Sequence, residues 1–427
     1  MKARILVERT LYAALFVALA CSVVLFIGHD RWPAVWEIYN RAYFFMLLLY
    51  TWFIFILLAI GRRGNAQSVT HSSYRVPERA PRIAVLVPCY NEAPELLYKS
   101  IRSVILAEGK KDVYIVDDGS ANAQTKLLIR RFAEKYQVQV HFFDSNKGKR
   151  HAIHYAVTEM VGDADFVVTI DSDTILDKLA LQRILEPFDD PRVGATSGDV
   201  RLLNEKQNIL TRMIGAYYWI GLHIYKQAQS NVGMVVCCSG CLSAYRAPLL
   251  RSVIDDFVNQ TFFGEQCTHS EDRHLTNLIL KSRHLVKFVP EAVSYTETPA
   301  TIRGFLKQQQ RWKRGYIRES IYTLTYAWKT RPLLFIEVAF WELSIPFLSF
   351  GLMIAMVISV ASNPLFFVTN ILPAWLTFMV VRYMPIFFYG LKKVPGLLVY
   401  MLFYDIFLYW QSIYALFTVR NKSWITR

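Results

Sequence analysis

Two aspartates separated by one residue lie directly after a short apolar run. Residues 166–170 are apolar or β-branched, which predicts a buried strand, and the run leads into Asp171 and Asp173. Carboxylate oxygens are the ligands that Mg²⁺ and Mn²⁺ prefer, and such an ion can in turn hold a diphosphate. A solvated acidic turn has the same local pattern, so the rest of the chain must distinguish a metal site from a turn.

Further polar residues follow the other predicted strands. Strand-like and helical runs alternate in the order 83–87, 94–106, 113–116, 124–136, 138–143, 149–160 and 166–170. This alternation predicts an α/β domain with a parallel sheet and helices on both faces. Because ligands bind at the carboxyl ends of the strands in such sheets, the residues after the strands are candidates for one site. They are Tyr90, Glu92, Asp117, Asp118, Lys149 and Arg150.

These residue types suit a nucleotide diphosphate. Its base can stack on an aromatic ring, its phosphates attract cations, and a divalent ion can bridge them. Lys149 and Arg150 also lie near the predicted start of a helix, where anions are favoured. Each feature alone is weak, because a segment such as 117–120 (Asp-Asp-Gly-Ser) is by itself only a turn. Their combination at one sheet edge predicts a nucleotide site.

The second half of the domain contains candidates for the acceptor side of a reaction. The segment 235–245 includes Ser239 and Gly240, and a glycine in a buried turn would let the backbone approach a substrate. Asp272 precedes the helical run 275–281. It could be a charge that stabilises the first helical turn, or a general base that takes the proton of an attacking sugar hydroxyl. The local sequence leaves both interpretations open.

The segment 301–328, drawn as a helix, is amphipathic. Its apolar face includes Trp312, and its opposite, basic face carries Arg303, Lys307, Arg311, Arg314 and Arg318. Such a helix can lie at a membrane surface with its charged face in solvent. The alternative places Gln308, Arg311 and Trp312 against a substrate, with the guanidinium on phosphate oxygens.

The composition predicts a membrane protein with a soluble part. The 427 residues are 53% hydrophobic, the mean hydropathy is positive, and the formal net charge is +14. The apolar runs long enough to span a bilayer are 11–28, 42–60, 333–361 and 365–388. Basic residues flank these runs, which favours a lipid bilayer over nucleic acid as the partner of the positive charge. A last apolar run, 397–419, has basic residues at both ends and is interpreted as re-entrant or interfacial.

These segments predict a multi-pass protein of the cell membrane with its soluble domain in the cytoplasm. The predicted regions are a transmembrane hairpin at 1–63, the cytoplasmic domain at 64–298, an amphipathic interfacial helix at 299–330, and transmembrane and interfacial helices at 331–427. Glu337, Glu342 and Asp405 lie within apolar segments, where a carboxylate is costly unless it faces a polar cavity. They indicate a channel rather than simple anchors.

Four motifs occur in the order and spacing of a known family. They are 116–120 (Val-Asp-Asp-Gly-Ser), 171–173 (Asp-Ser-Asp), 271–273 (Glu-Asp-Arg) and 308–312 (Gln-Gln-Gln-Arg-Trp). Over nearly its whole length the chain resembles the processive, membrane-integrated family 2 glycosyltransferases, which include hyaluronan, chitin and cellulose synthases. It is most similar to the hyaluronan synthases and the nodulation chitin-oligosaccharide synthases, through segments 146–151, 271–277 and 415–421. The two amino-terminal spans and 316–320 (Tyr-Ile-Arg-Glu-Ser) favour hyaluronan synthase.

The resemblance implies a fold and a set of residue roles. The fold is a GT-A (Rossmann-like) glycosyltransferase domain inserted between transmembrane helices. The implied roles are uridine binding by Tyr90, Glu92 and Asp118, diphosphate contact by Lys149 and Arg150, donor and metal (Mg²⁺ or Mn²⁺) binding by Asp171 and Asp173, general base catalysis by Asp272, and binding of the diphosphate and the terminal acceptor sugar by Gln308, Arg311 and Trp312. Asp117, Ser239 and Gly240 complete the predicted substrate site. The chain departs from the family pattern at Cys241, where proline is usual, and at 270–271, where Gly-Asp is usual.

The predicted function is that of a processive inverting glycosyltransferase, similar to hyaluronan synthase. It would polymerise UDP-N-acetylglucosamine, with UDP-glucuronate as a second donor, into a linear β-linked polysaccharide and export it. Its partners would be UDP-sugar donors, the growing polysaccharide and the lipid bilayer. One alternative is a chitin-oligosaccharide or poly-N-acetylglucosamine synthase that uses one donor. Others are a transferase that acts once on a polyprenyl phosphate, and a transporter or channel whose cytoplasmic domain senses nucleotide.

Overall fold

The computed structural model describes residues 5–11, 13, 32–68, 80–377, 380, 384, 396, 399–400, 403 and 408–421. Most of the predicted first span, 11–28, lies outside the described residues, as do parts of 365–388 and 397–419 and the whole of Asp405.

The first half of the α/β domain alternates strands and helices as predicted. Its elements, after helix α1 (Trp32–Ser68), are β1 (Ile83–Cys89), α2 (Pro94–Leu106), β2 (Asp112–Asp117), α3 (Ala123–Tyr136), β3 (Gln139–Phe142), α4 (Lys149–Tyr155, continued by a π-helical turn Ala156–Met160) and β4 (Phe166–Thr169). Proline at the first position of α2 needs no hydrogen-bond partner for its nitrogen and has a helical φ. Asn122 caps α3 by accepting a hydrogen bond from the Gln124 N–H.

The second half contains shorter strands and longer helices. Its elements are β5 (Ile175–Leu176), α5 (Ala180–Leu185), β6 (Val193–Leu202), α6 (Ile209–Ile220, continued by a π-helical segment Gly221–Lys226), α7 (Gln227–Asn231), β7 (Ser243–Arg246), α8 (Ala247–Val258), β8 (Thr261–Phe262), β9 (Glu265–Gln266), α9 (Glu271–Lys281), β10 (Leu285–Thr296) and α10 (Ile302–Thr330). The predicted helical run 275–281 falls within α9. Strands β7 and β10 and helix α8 have no counterpart in the sequence prediction.

The sheet is mixed rather than parallel. Among the described residues it has eight strands in the order β3-β2-β1-β4-β7-β6-β10-β5. The four strands from the first half are parallel, as predicted. Strand β7 runs antiparallel to both β4 and β6, and β10 is parallel to β6. The prediction of a parallel sheet is therefore confirmed for the first half, from which it was made, and the insertion of β7 beside β4 in the opposite direction makes the complete sheet mixed.

Both faces of the sheet are covered by helices. Alternate side chains of β1 serve the two cores: Ala84 and Leu86 pack in one cluster, and Val85 and Val87 in the other. Helices α4, α8 and α9 cover the first face, and α2, α3 and α5 cover the second. With both faces buried, the exposed edge at the carboxyl ends of the parallel strands is left as the place for a ligand.

Two helical stretches among the described residues are long and apolar enough to cross a bilayer. They are Glu37–Gly61 within α1, and Pro332–Ser362, which comprises α11 (Pro332–Glu337), a π-helical segment (Val338–Ser344) and α12 (Ile345–Ser362). They contact each other and the α/β domain: the ring of Tyr50 stacks on Trp341 with centroids 4.1 Å apart, and the Asn231 side chain donates to the carbonyl of Leu57. Helix α14 (Tyr409–Phe417) follows α13 (Pro364–Phe366) along the chain.

Candidate active site

One continuous cavity of about 1930 Å³ lies at the carboxyl edge of the sheet and extends towards the apolar helices. It brings together Asp118, Asp173, Asp272 and Trp312, which are far apart in sequence. The other predicted site residues that line it are Tyr90, Glu92, Lys149, Arg150, Asp171, Ser239, Gly240, Gln308 and Arg311. Of the predicted set, Asp117 alone is not on this wall, as far as the described residues define it.

Asp117 supports the turn after β2 from inside the protein. Its side chain is fully buried, and its carboxylate accepts hydrogen bonds from the Ser120 N–H at 3.0 Å and from the Cys89 thiol at 3.4 Å. A carboxylate used in this way has no surface for a substrate. These contacts give Asp117 a structural role, and its predicted binding of substrate stays a prediction.

Asp118 organises the loop that leads into α4. Its two oxygens accept from the backbone N–H groups of Lys147 and Gly148, at 2.7 and 2.8 Å, and from the Asn146 side chain at 3.0 Å. The turn packs tightly here, because a Cβ on Gly119 (φ +75°) would lie 2.5 Å from the backbone carbon of Ser145. Burial is the main influence on the Asp118 carboxyl and raises its pKa, in spite of the two backbone donors.

Lys149 connects the two halves of the site. It is the first residue of α4, and its ammonium lies 2.5 Å from an oxygen of Asp171 and 3.0 Å from an oxygen of Glu271. Burial opposes the charge of Lys149, but the two carboxylates raise its pKa well above the usual value. A Cβ on Gly240 would lie 2.7 Å from Asp171 and 3.0 Å from the Lys149 ammonium. Glycine is therefore needed where the 237–241 turn approaches this ion pair.

The two aspartates after β4 suit a divalent ion that is shared with a phosphate. Asp171 and Asp173 line the cavity, and the hydroxyl of Ser172, between them, donates to Glu92. Among the described residues there is no group of three or more His, Cys, Asp or Glu side chains arranged to hold a metal ion. Mg²⁺ is usually bound by one or two carboxylates together with substrate phosphates, so this donor set fits a metal that binds with the nucleotide.

Arg150 does not reach the cavity with its charged group. The guanidinium is buried and donates to the Phe257 carbonyl at 2.9 Å, the Gln260 side chain at 2.6 Å and the His269 carbonyl at 3.2 Å. These oxygens use its donors in the protein interior, while Lys149 next to it points to the cavity carboxylates. In this structure Arg150 holds the loop before α9, and its predicted contact with the diphosphate stays a prediction.

The neighbouring acids Glu271 and Asp272 are in different electrostatic states. Burial alone would raise the pKa of Glu271, but the Lys149 ammonium lowers it to about 2. The pKa of Asp272 is raised, mainly by burial and then by the negative charge of Glu271. Asp272 accepts from the Arg273 N–H at 2.8 Å, and the Cys237 thiol lies 3.5 Å from its other oxygen. Such a separation of two pKa values is typical of acid–base sites.

Helix α10 crosses the cavity, and its basic face is exposed at Arg303 and Lys307 but buried further along the helix. Gln308, Arg311 and Trp312 line the cavity, where the Trp312 ring lies 6.2 Å from that of Tyr218. Arg314 and Arg318 are buried, and the guanidinium of Arg314 donates to Thr418 at 3.0 Å. The prediction of an interfacial helix whose basic face is solvated is wrong for these residues, because the segment around α14 and the loop before α9 cover them.

The inner part of the cavity joins Arg273, from the 271–273 motif, to residues that the motifs did not identify. Arg273 pairs with Glu342 of the π-helical segment and lies 4.4 Å from the ring of Tyr316. Tyr217, Tyr218, Tyr225, Trp341 and Tyr400 also line it. A carboxylate inside an apolar stretch was the one sequence signal for this region. An aromatic wall of this kind can stack on sugar rings.

The fold defines the class of protein. A mannosyltransferase from Pyrobaculum calidifontis, solved in complex with GDP-Man and Mn²⁺, has a similar structure with a TM-score of 0.60 over 88% of this chain and 98% of its own, at 19% identity. This similarity shows the mixed α/β, Rossmann-like fold of the GT-A glycosyltransferases.

The sequence comparisons define the family. Residues 84–253 match the family model "Glycosyl transferase family 2". An N-acetylglucosaminyltransferase of Neorhizobium galegae is 31% identical over 302 residues, which are 70% of this chain and 68% of that protein. One from Bradyrhizobium diazoefficiens is 35% identical over 255 residues, 59% of this chain and 51% of that protein. The chain thus belongs to glycosyl transferase family 2, and it spans about half the length of several curated relatives that it matches.

Proposed function

We propose that the protein transfers N-acetylglucosamine from UDP-N-acetylglucosamine to a sugar hydroxyl, with inversion at the anomeric carbon, and repeats the step to build a β-linked chain. The observation that carries the proposal is the single cavity in which Asp272, with its raised pKa, faces the donor-side carboxylates and Trp312. Donor and acceptor groups in one cavity are what a direct transfer requires.

In this proposal each residue has a defined task. Asp272 takes the proton of the acceptor hydroxyl, whose oxygen forms a bond to the anomeric carbon as the bond to UDP breaks. Lys149 and Arg311 place positive charge beside the departing diphosphate, and Trp312 packs against the acceptor's terminal sugar. Tyr90, Glu92 and Asp118 surround the uridine. Mg²⁺ or Mn²⁺ held by Asp171 and Asp173 would supply further positive charge to the diphosphate.

The names of the relatives favour a single donor. The similar curated proteins are named N-acetylglucosaminyltransferase, as a chitin-oligosaccharide or poly-N-acetylglucosamine synthase would be. They therefore support the alternative that uses UDP-N-acetylglucosamine alone over the two-donor, hyaluronan-type prediction. We adopt the one-donor activity as the proposed function.

One observation favours the two-donor activity as a second candidate. Lys226 lines the cavity, its ammonium donates to the Ser197 hydroxyl at 3.2 Å, and it forms no ion pair within the part of the chain that the structure describes. An ammonium in a sugar-binding cavity suits the carboxylate of a glucuronate unit. A neutral polymer of N-acetylglucosamine would give this charge only uncharged partners, namely hydroxyl, ether and amide oxygens.

We further propose that the protein is integrated in the cell membrane with the catalytic domain in the cytoplasm. The apolar stretches Glu37–Gly61 and Pro332–Ser362 would span the bilayer. The cavity reaches Trp341 and Glu342 of the second stretch, so the growing chain would leave the active site along that side.

A donor experiment with the purified full chain in lipid nanodiscs tests the proposal. With Mg²⁺ or Mn²⁺ and UDP-N-acetylglucosamine alone, we expect release of UDP and products that differ by one N-acetylhexosamine in mass and are degraded by chitinase. Polymer formation only after UDP-glucuronate is added would favour the second candidate. Nucleotide binding without release of UDP would contradict both and favour a nucleotide-sensing channel.

A further inference from the structure

Glu319 lies at the centre of a buried polar network behind the cavity. It belongs to α10, two turns beyond Arg311 and Trp312, and its side chain has no exposure to solvent. One carboxylate oxygen accepts from Gln260 at 2.7 Å and from Arg318 at 3.2 Å. The other lies 3.0 Å from Nδ1 of His274 and 3.3 Å from the amide nitrogen of Asn277.

The four contacts join three parts of the site. His274 and Asn277 are on α9, two and five residues after Asp272, so Glu319 binds the helix that carries the proposed base. Gln260 links Glu319 to the donor side, because its side-chain oxygen Oε1 accepts a hydrogen bond from Arg150, the residue after Lys149. Glu319 thereby links the donor loop, the helix of the base and the helix that carries Gln308, Arg311 and Trp312.

The loop between these parts is held by the same network. The carbonyl of His269 accepts from both Arg150 and Arg318, and Ser270, which follows it, has a left-handed φ of +62°. Glu271 and Asp272 come directly after this constrained turn. The direction in which α9 presents its two acids therefore depends on the guanidinium groups that Glu319 and Gln260 keep in place.

The charge state of Glu319 fits this arrangement. Burial alone would raise its pKa, but His274, Arg318 and Gln260 hold the pKa far below its ordinary value. Burial lowers the pKa of His274, and Nδ1 of its imidazole, 3.0 Å away, can donate to the carboxylate. All four partners are then donors, and an ionised carboxylate with two oxygens can satisfy all of them.

We infer that Glu319 is the positioning residue that sets Asp272 against the donor loop and the acceptor-binding face of α10. The inference rests on the proposed function and names a residue outside the four sequence motifs that carry it. Glu319 touches no substrate. Its effect is on the distance and angle between the base and the acceptor hydroxyl.

The substitution Glu319→Gln tests this directly. Glutamine keeps the volume but has one acceptor oxygen, so its amide group would confront the donors of His274 and Asn277. A displacement of the base by about 1 Å can cost about 100-fold in rate. We expect kcat for transfer to fall about 100-fold and the Kd for UDP to stay within about threefold. The fraction of donor lost to hydrolysis should rise at least about tenfold. The reason is that attack by water depends less on the position of the base than attack by an oriented acceptor hydroxyl does.

A matched control separates positioning from stability. Asp199 is equally buried and ion-paired, with Arg201, but is not on the cavity wall. Asp199→Asn should lower the thermal unfolding midpoint without changing the ratio of hydrolysis to transfer. If Glu319→Gln fails to fold, Gln260→Met decides instead: it removes the link to Arg150 while Glu319 keeps its charge, and it should lower kcat and raise the hydrolysed fraction.

The outcomes distinguish the inference from the proposed function. A folded Glu319→Gln protein with the wild-type kcat and hydrolysed fraction overturns the inference. If Glu319→Gln does not fold, a Gln260→Met protein with the wild-type kcat and hydrolysed fraction overturns it instead. An equal rise of the hydrolysed fraction in Asp199→Asn also overturns it, since any buried charge would then do the same. A wild-type protein that binds UDP but performs neither transfer nor hydrolysis overturns the proposed function, and the inference with it.

Discussion

Replacement of Asp272 by asparagine is the most informative single change. Asparagine has the same shape, and its side-chain oxygen can still accept from the Arg273 N–H at 2.8 Å. The helix start, the Lys149–Glu271 ion pair and the cavity wall should therefore be kept. What is lost is the one group of the α9 acid pair whose pKa is raised and which is not neutralised by Lys149.

The expected loss follows from the role of a general base. Proton removal by a positioned base contributes about 10²- to 10⁴-fold to a rate, which corresponds to roughly 3–5 kcal/mol of transition-state stabilisation. Asp272 should lie at the upper end, because burial is the main influence on its carboxyl and limits its replacement by bulk water. We expect transfer by Asp272→Asn to fall by about 10³-fold or more, with the Kd for UDP changed less than about threefold.

The pH dependence provides a second test of the same group. The base works when ionised, so kcat/KM of the wild-type protein should fall as the pH drops through the pKa of Asp272, which burial and Glu271 place above the usual range for aspartate. Asp272→Asn should lack this acidic limb. The assay is UDP release and radiolabelled sugar incorporation measured over a pH series. A variant with full activity, or with an unchanged acidic limb, would refute the assignment.

Three further changes test other parts of the site. Arg150→Met should lower the free energy of unfolding by roughly 3 kcal/mol, since three buried oxygens lose a donor. UDP affinity should change little. A large loss of UDP binding in a stably folded protein would instead support contact between Arg150 and the diphosphate. Gly240→Ala should weaken binding of UDP with Mn²⁺, measured by calorimetry, by at least about tenfold, because the methyl group displaces Asp171 or Lys149; unchanged affinity would contradict the close approach. Trp312→Ala should reduce affinity for an oligosaccharide acceptor by about 1–3 kcal/mol, while Trp312→Phe should keep most of that affinity. Equal losses of affinity in both variants would argue against stacking of the Trp312 ring on the sugar.

The regular part of the fold could be predicted from local patterns. Helix α2 begins at Pro94 and α3 follows the Asn122 cap, so the predicted boundaries agree closely with the structure. The apolar runs before Cys89, Asp117 and Asp171 gave three central strands. These features depend on residues near each other in sequence, which is why they can be read without the fold.

The errors came from contacts between distant segments. Arg150 and Arg318 look like surface cations, but both donate to the carbonyl of His269, which no periodicity predicts. Strand β7 is short and pairs antiparallel with both β4 and β6. Its direction is fixed by pairing with these distant strands and not by the local sequence of residues 243–246. The inner wall of the cavity likewise depends on the pairing of Arg273 with Glu342, which lie 69 positions apart.

The central claim is that one cavity joins a nucleotide-sugar donor to a sugar acceptor through Asp272. The most direct measurement is the stoichiometry of the reaction of the purified full chain with UDP-N-acetylglucosamine, Mg²⁺ or Mn²⁺ and an N-acetylglucosamine oligomer as acceptor. The account predicts that each UDP released is matched by one sugar added to the acceptor in β linkage, and that Asp272→Asn abolishes both. Tight binding of the nucleotide sugar with neither UDP release nor acceptor extension would contradict it.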